Sequence, residues 1–147
     1  KRIKMLIMQH KEILGFNGEY RFLSNFWYCE VVFEDQKYRS VEHAYVAAKT
    51  LHLNLRKRIQ KVNNVGEVKH IGRNLQLRPD WEDIKLEVMA NLVYQKFLEE
   101  PLRSQLLATE DAYLEETNHW GDTYWGVCKG VGENMLGKIL MMVRDIV

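Results

Sequence analysis

The sequence predicts a mostly helical α+β fold, a single domain over residues 1–147 with a small β-sheet or hairpin near its N-terminus. Three observations carry this reading. The chain has 147 residues, the length of one domain. The stretch to about Arg39 reads as strands and loops, and from Ser40 onward helices dominate, with apolar residues recurring mostly at helical spacing. Hydrophobic residues make up 46% and charged residues 28%, a globular composition that can bury a core without metal or disulfide support.

Residues 1–15 read as an N-terminal extension or first strand, and Gly15-Phe16-Asn17-Gly18 as turn chemistry. Glu30 to Phe33 and Lys37 to Arg39, separated by Glu34-Asp35-Gln36, read as a hairpin. Ser40 is a good N-cap for a helix through about His52, with Val41, Ala44, Tyr45, Ala48 and Leu51 or His52 as its core face. A second helix is expected over residues 54–62, its Arg56-Lys57-Arg58 run forming a solvated face. A short one over residues 65–71 is expected to stop at Gly72 as its C-cap. Asp80 should cap a long helix from Trp81 to about Glu99, with Ile84, Val88, Leu92 and Lys96 on one stripe. Pro101 opens a short helix through Leu107. Residues 113–117 suggest a strand. Residues 118–132, rich in Trp, Gly and Asp, read as one long loop, and long loops in compact domains are usually functional. The last helix is expected from Glu133 to the end, with Leu136, Ile139, Leu140, Val143 and Ile146 facing the core.

A net charge of +1 excludes a protein that grips nucleic acid through bulk positive charge, though not a local basic pocket for a phosphate. The two cysteines, Cys29 and Cys128, are far apart without CxxC spacing and read as free thiols in a reducing compartment, so a cytoplasmic location is expected. No signal peptide or membrane-spanning run is expected. The scattered histidines give no metal-ligand spacing, so no metal and no cofactor are expected.

Three constellations can carry chemistry. At 100° per residue, Glu42 and Lys49 point within about 20° of each other, two turns and about 10 Å apart along one helix. They are either a carboxylate and an amine facing one cleft, or two boundary residues whose stems cover the apolar edge. His43 points away from the apolar face and is expected to be exposed. The loop Trp120-Gly121-Asp122-Thr123-Tyr124-Trp125-Gly126 gathers three aromatics and a carboxylate, suited to a flat base and a sugar hydroxyl, or else to pinning the loop to the core. Ser24-Asn25, enclosed by aromatics, either turn the backbone or contact a ligand. Arg73 can clamp a phosphate or simply be exposed, Trp81 is a candidate wall, and Gly130-Val131-Gly132-Glu133-Asn134 precedes the last helix as a weak glycine-rich loop of the kind that suits anions.

The ordered combination Ser24-Asn25-Phe26, Ser40-x-Glu42-His43 with Lys49, Gly72-Arg73, Trp81, Met89, Lys96-Phe97, Leu106-Leu107-x-Thr109, Leu114-x-Glu116, Asp122-x-x-Trp125-Gly126 and Gly132-x-Asn134-x-Leu136-Gly137 resembles the NADAR, or YbiA-like, family over nearly the whole chain. The resemblance implies a small, mostly helical α+β fold and an N-glycosidase, a hydrolase acting on N-glycosyl bonds. The substrate it implies is a small phosphorylated ribosylamine of the riboflavin-intermediate type, cleaved at C1′–N to ribose 5-phosphate and a pyrimidine. An alternative is removal of ADP-ribose from guanine in DNA or other nucleic acid, and a third reading is a non-catalytic ADP-ribose or nucleotide sensor. The resemblance makes a catalytic lysine credible.

Breaking a C1′–N bond builds positive charge at C1′ and negative charge on the leaving nitrogen, so carboxylates belong in the site. Glu42 and Asp122 are the candidates for water activation and proton transfer. Lys49 offers a second route, attack on the ring-opened imine to form a Schiff base. Glu42, Lys49 and Asp122 are therefore the expected catalytic residues. Ser24, Asn25, Arg73, Trp81, Trp125, Gly126 and Asn134 are the expected substrate contacts, and Arg144 is a further phosphate candidate.

Overall fold

The structure, a computed structural model, describes residues 11–147; the expectation for residues 1–10 lies outside the described residues. The chain forms an α+β fold dominated by helices, with three small two-stranded sheets among the described residues. The described residues divide into two compact units, residues 25–99 and residues 11–24 together with 100–147.

The unit of residues 25–99 begins with the hairpin of β2 (Tyr28–Phe33) and β3 (Gln36–Ser40), paired antiparallel as expected; β1 (Glu12–Leu14) belongs to the other unit. Its tip, Glu34 and Asp35, has φ of 45° and 65°, the doubly positive geometry that matches the twist of a two-residue turn. Four helices follow: α1 (Val41–Ala48), α2 (Leu53–Lys61), α3 (Val65–Asn74) and α4 (Trp81–Leu98). Helix α1 is the centre of the unit, with β2, β3, α2, α3 and α4 all packed around it. Ala44, Ala47 and Ala48 have no exposed surface, and their small side chains let neighbouring backbones close in.

Several boundaries differ from the sequence reading, each for a local reason. Helix α1 stops at Ala48 with Lys49 as its C-cap, and Leu51 is 58% exposed rather than part of the core. His52 instead caps α2, its Nδ1 accepting the Leu55 N–H at 3.1 Å. Helix α3 runs through Gly72 to Asn74, so Gly72 is a buried interior position and not a cap. Asp80 makes no capping bond; its carboxylate takes the Arg78 guanidinium at 2.6 Å. His43, expected to be exposed, has no exposed surface. Its two ring nitrogens bond Ser40 Oγ at 2.6 Å and the Val62 carbonyl at 2.7 Å, and burial holds its pKa below the usual histidine value.

The Arg56-Lys57-Arg58 run is not a uniform solvated face. Lys57 and Arg58 are exposed, whereas Arg56 is 6% exposed. Its Nε donates to the carbonyls of Ala47 (3.0 Å) and Thr50 (2.8 Å), and Nη1 pairs with Glu34 at 2.7 Å. A cation is thus fixed on the C-terminal carbonyls of α1, where the helix dipole favours it. In α4, Lys96 is fully buried, and burial lowers its ammonium pKa to about 7.

In the other unit, β1 (Glu12–Leu14) pairs in parallel with β4 (Tyr113–Glu115), and a 3-10 turn spans Gly18–Leu23. Helix α5 (Leu102–Leu107) follows Pro101 as expected. The stretch read as one loop contains a second parallel pair, β5 (Thr117–Asn118) with β6 (Val127–Cys128). Helix α6 (Met135–Ile146) starts two residues later than expected, after Asn134 in a left-handed conformation (φ 53°, ψ 44°). Leu136, Ile139, Leu140 and Val143 are buried against the unit's core, while Ile146 is 62% exposed. Among the described residues no helix is long and apolar enough to cross a membrane, and Cys29 and Cys128 are free thiols.

Candidate active site

Every residue from Val41 to Thr50 is buried except two, Glu42 and Lys49. A helix enclosed on all sides therefore opens at the two positions that helical geometry places on one face. The Glu42 N–H donates to the Asn25 carbonyl at 3.1 Å, which fixes the first turn of α1. At the far end the Lys49 carbonyl accepts the Arg78 N–H at 2.7 Å, and Arg56 holds the Ala47 and Thr50 carbonyls. Both ends of the segment carrying the carboxylate and the amine are thus fixed by bonds from other elements.

The amine of Lys49 lies 5.1 Å from the centroid of the Tyr45 ring. That ring in turn packs on Trp81 at 5.1 Å with an interplanar angle of 60°. Trp81 is 4% exposed, so it serves as a wall behind Tyr45. Burial lowers the Lys49 pKa below the ordinary lysine value, the negative charge of Glu42 opposes this, and the positive charge of Lys85 adds to it. Lys85 is four residues beyond Trp81 on α4, on the same helix face, and its ammonium bonds Glu82 at 2.6 Å. Lys85→Gln should therefore raise the Lys49 pKa. If the neutral amine is the working form, the acid limb of the pH–rate profile moves to higher pH, which a profile of kcat/KM measures directly.

The remaining expected contacts of this unit differ in character. Asn25 Nδ2 lies 3.5 Å from Met89 Sδ, and its carbonyl orients Glu42, so its backbone has a clear structural role. Arg73 is exposed on α3 beside buried Gly72.

In the second unit, Asp122 organises its own loop. Its Oδ1 accepts the N–H groups of Tyr124 (3.1 Å) and Trp125 (2.9 Å). Both bonds fall on one oxygen. The loop is held from below by Asn118, a residue that no motif in the sequence singles out. Its amide donates to the Asp122 (2.8 Å) and Val127 (3.2 Å) carbonyls and accepts the Asp122 N–H at 3.0 Å. Trp125 is half-buried, edge-on to Tyr124 with ring centroids 4.7 Å apart. Ser24 is half-buried and closes the 3-10 turn through its N–H to the Arg21 carbonyl at 3.0 Å.

Three expected contacts of this unit are taken up by the fold. Asn134 is 3% exposed, its Oδ1 accepting the Glu116 N–H (3.0 Å) and its Nδ2 donating to the Leu114 carbonyl (2.9 Å), so its amide joins β4 to the start of α6. Gly126 is buried where any side chain would collide with the Glu116 carbonyl, which makes it a requirement of close packing. The Arg144 Nη1 donates to Thr109 Oγ1 (3.0 Å) and the Ala112 carbonyl (2.9 Å), tying α6 to the turn before β4. Sequence spacing cannot show these partners, which lie 10 to 35 residues away.

The chain matches the NADAR domain family over residues 11–147. It is 34% identical to N-glycosidase YbiA of Escherichia coli over 133 residues, which covers 88% of this chain and 82% of that protein. An N-glycosidase of Nostoc punctiforme is 35% identical over 133 residues, covering 86% and 85% of the two chains. A riboflavin biosynthesis protein of Vibrio vulnificus is 40% identical over 128 residues; those residues are 84% of this chain, which spans about a third (35%) of that longer relative. The solved structure of E. coli YbiA superposes with a TM-score of 0.81 at 33% identity, covering 95% of this chain and 86% of that one. The expected fold class and family are thus both found, and the chain belongs to the NADAR domain family as a hydrolase acting on N-glycosyl bonds.

Proposed function

We propose that this N-glycosidase hydrolyses the C1′–N bond of a phosphorylated ribosylamine of the riboflavin-intermediate type, releasing ribose 5-phosphate and a pyrimidine. The observation that carries the reading is the pair Glu42 and Lys49, the two residues of an otherwise buried segment that are not buried. A relative named for riboflavin biosynthesis supports the substrate class, and a net charge of +1 suits a small substrate better than an extended polyanion.

A ribosylamine with an exocyclic nitrogen equilibrates with its ring-opened imine, the ring oxygen taking a proton as C1′ becomes doubly bonded to nitrogen. The neutral Lys49 amine adds to C1′, its lone pair forming the new C–N bond while the imine electrons return to the substrate nitrogen. Glu42 carries both protons of the attacking nitrogen to the leaving one, the first on addition and the second on expulsion, so the pyrimidine departs as a neutral amine and a lysyl imine remains. Water then adds to C1′, the Lys49 nitrogen is expelled, and the aldehyde of ribose 5-phosphate is released. One water is consumed, and no electron is gained or lost.

Low-dielectric surroundings favour this route because desolvation disfavours the ammonium and frees the nucleophile. Within the same unit, Arg73 is the proposed phosphate contact. The test is a comparison of initial rates on a pyrimidine ribosylamine 5′-phosphate and on guanine-ADP-ribosylated DNA. A larger kcat/KM on the first is expected, and a larger value on the second would reassign the substrate to modified nucleic acid.

A further inference from the structure

We infer that Gly72 is a positioning residue for Lys49: the missing side chain on α3 keeps open the space through which a carbon electrophile reaches the lysine amine. The inference rests on Lys49 acting as the nucleophile.

Gly72 lies inside α3, not at its end. An interior glycine costs a helix about 1 kcal/mol relative to alanine, so its presence there calls for a local reason. A Cβ at Gly72 would lie 2.9 Å from Val46 Cγ2 and 3.3 Å from Val46 Cγ1, and 3.6 Å from Lys49 Nζ. Val46 and Lys49 are three residues apart on α1 and so occupy one side of it. The bare backbone of α3 therefore meets two different neighbours at once.

The two neighbours imply different consequences. The approach to Val46 is a packing constraint, because 2.9 Å is closer than carbon atoms tolerate and either the valine or the helix must move. The approach to Nζ is not a clash, since 3.6 Å is ordinary contact. It is an occupied volume. A carbon about to bond to Nζ must come to about 3–3.5 Å of it along the lone pair, and a methyl group already in contact removes part of that approach. Alanine at position 72 would thus crowd the amine even after every packing strain had been relieved.

This difference separates the inference from a merely structural role. Val46→Ala removes both methyl groups that Cβ would strike and leaves Lys49 untouched. The experiment compares V46A, G72A, the double variant V46A/G72A and K49M, with a pyrimidine ribosylamine 5′-phosphate as the probe. The double variant is expected to regain the thermal midpoint of V46A and a similar KM, while its kcat stays at least about tenfold lower, the scale at which small misplacements act. A double variant with the kcat of V46A overturns the inference and leaves Gly72 a packing residue. If K49M is inactive in that case, the requirement for Lys49 stands and the inference on Gly72 alone falls; a fully active K49M overturns both.

A second readout needs neither turnover nor the double variant. Formaldehyde with a hydride donor dimethylates lysine amines by attack of the neutral nitrogen on carbon. Mass spectrometry of the labelled peptides gives the rate at Lys49 relative to exposed Lys57. In G72A that ratio is expected to fall severalfold, and an unchanged ratio overturns the inference.

Discussion

Lys49→Ala should abolish turnover, by at least about 10³-fold in kcat, the order seen when the nucleophile of a catalytic unit is removed. The fold should survive, because Lys49 is not a buried core residue and its backbone bonds, from Arg78 N–H and to the Val46 carbonyl, do not depend on its side chain. Lys49→Arg sharpens the result. It keeps a positive charge beside Glu42 but supplies no neutral amine near pH 7. An electrostatic role would leave Lys49→Arg partly active, and a covalent role requires both variants to be inactive with unfolding transitions close to that of the parent.

Glu42→Gln is expected to lower kcat by about 10²-fold, the contribution of a positioned proton carrier. It should not loosen α1, since the bond that fixes this turn is made by the Glu42 backbone N–H to Asn25. The substitution has a second consequence of known sign. The Glu42 charge raises the Lys49 pKa, so its removal lets that pKa fall further. The residual activity of Glu42→Gln should therefore persist to lower pH, with the acid limb displaced opposite to that of Lys85→Gln. Limbs displaced in the same direction would mean that the titrating group is not Lys49.

The pairing of Glu42 with Lys49 is legible in the sequence because it depends only on the geometry of one helix. Seven residues are about two turns, whatever surrounds them. What surrounds them is not legible. Helix α1 is buried on almost every side, so it lacks the polar face from which a core face is normally read, and helical spacing alone puts His43 in solvent. The burial of that ring depends on the Val62 carbonyl, 19 residues on. Arg56 shows the same limit, since a basic run reads as a solvated face until the Glu34 carboxylate and the end of α1 are in place.

The strands divide along a similar line. The hairpin of β2 and β3 is readable from strand-forming residues around a polar turn, because its partners are adjacent in sequence. The pairing of β1 with β4 joins three-residue strands about 100 residues apart, and β5 and β6 have two residues each. Segments that short have no periodicity to detect. The Asp122 loop stands out by composition, but Asn118, which holds it, looks in the sequence like any loop asparagine. Gly72 reads as a helix end because glycine commonly ends helices. Its nearness to Val46 and Lys49 is a property of packing between α3 and α1.

Covalent attachment of the sugar to Lys49 is the central claim, and reductive trapping reaches it most directly. The protein turns over a pyrimidine ribosylamine 5′-phosphate in the presence of borohydride, and the digested chain is mapped by mass spectrometry. The account predicts progressive inactivation and a reduced ribose 5-phosphate adduct on the peptide carrying Lys49, absent in Lys49→Arg. Continued turnover with no adduct at Lys49 would contradict it and assign the bond cleavage to direct attack by water.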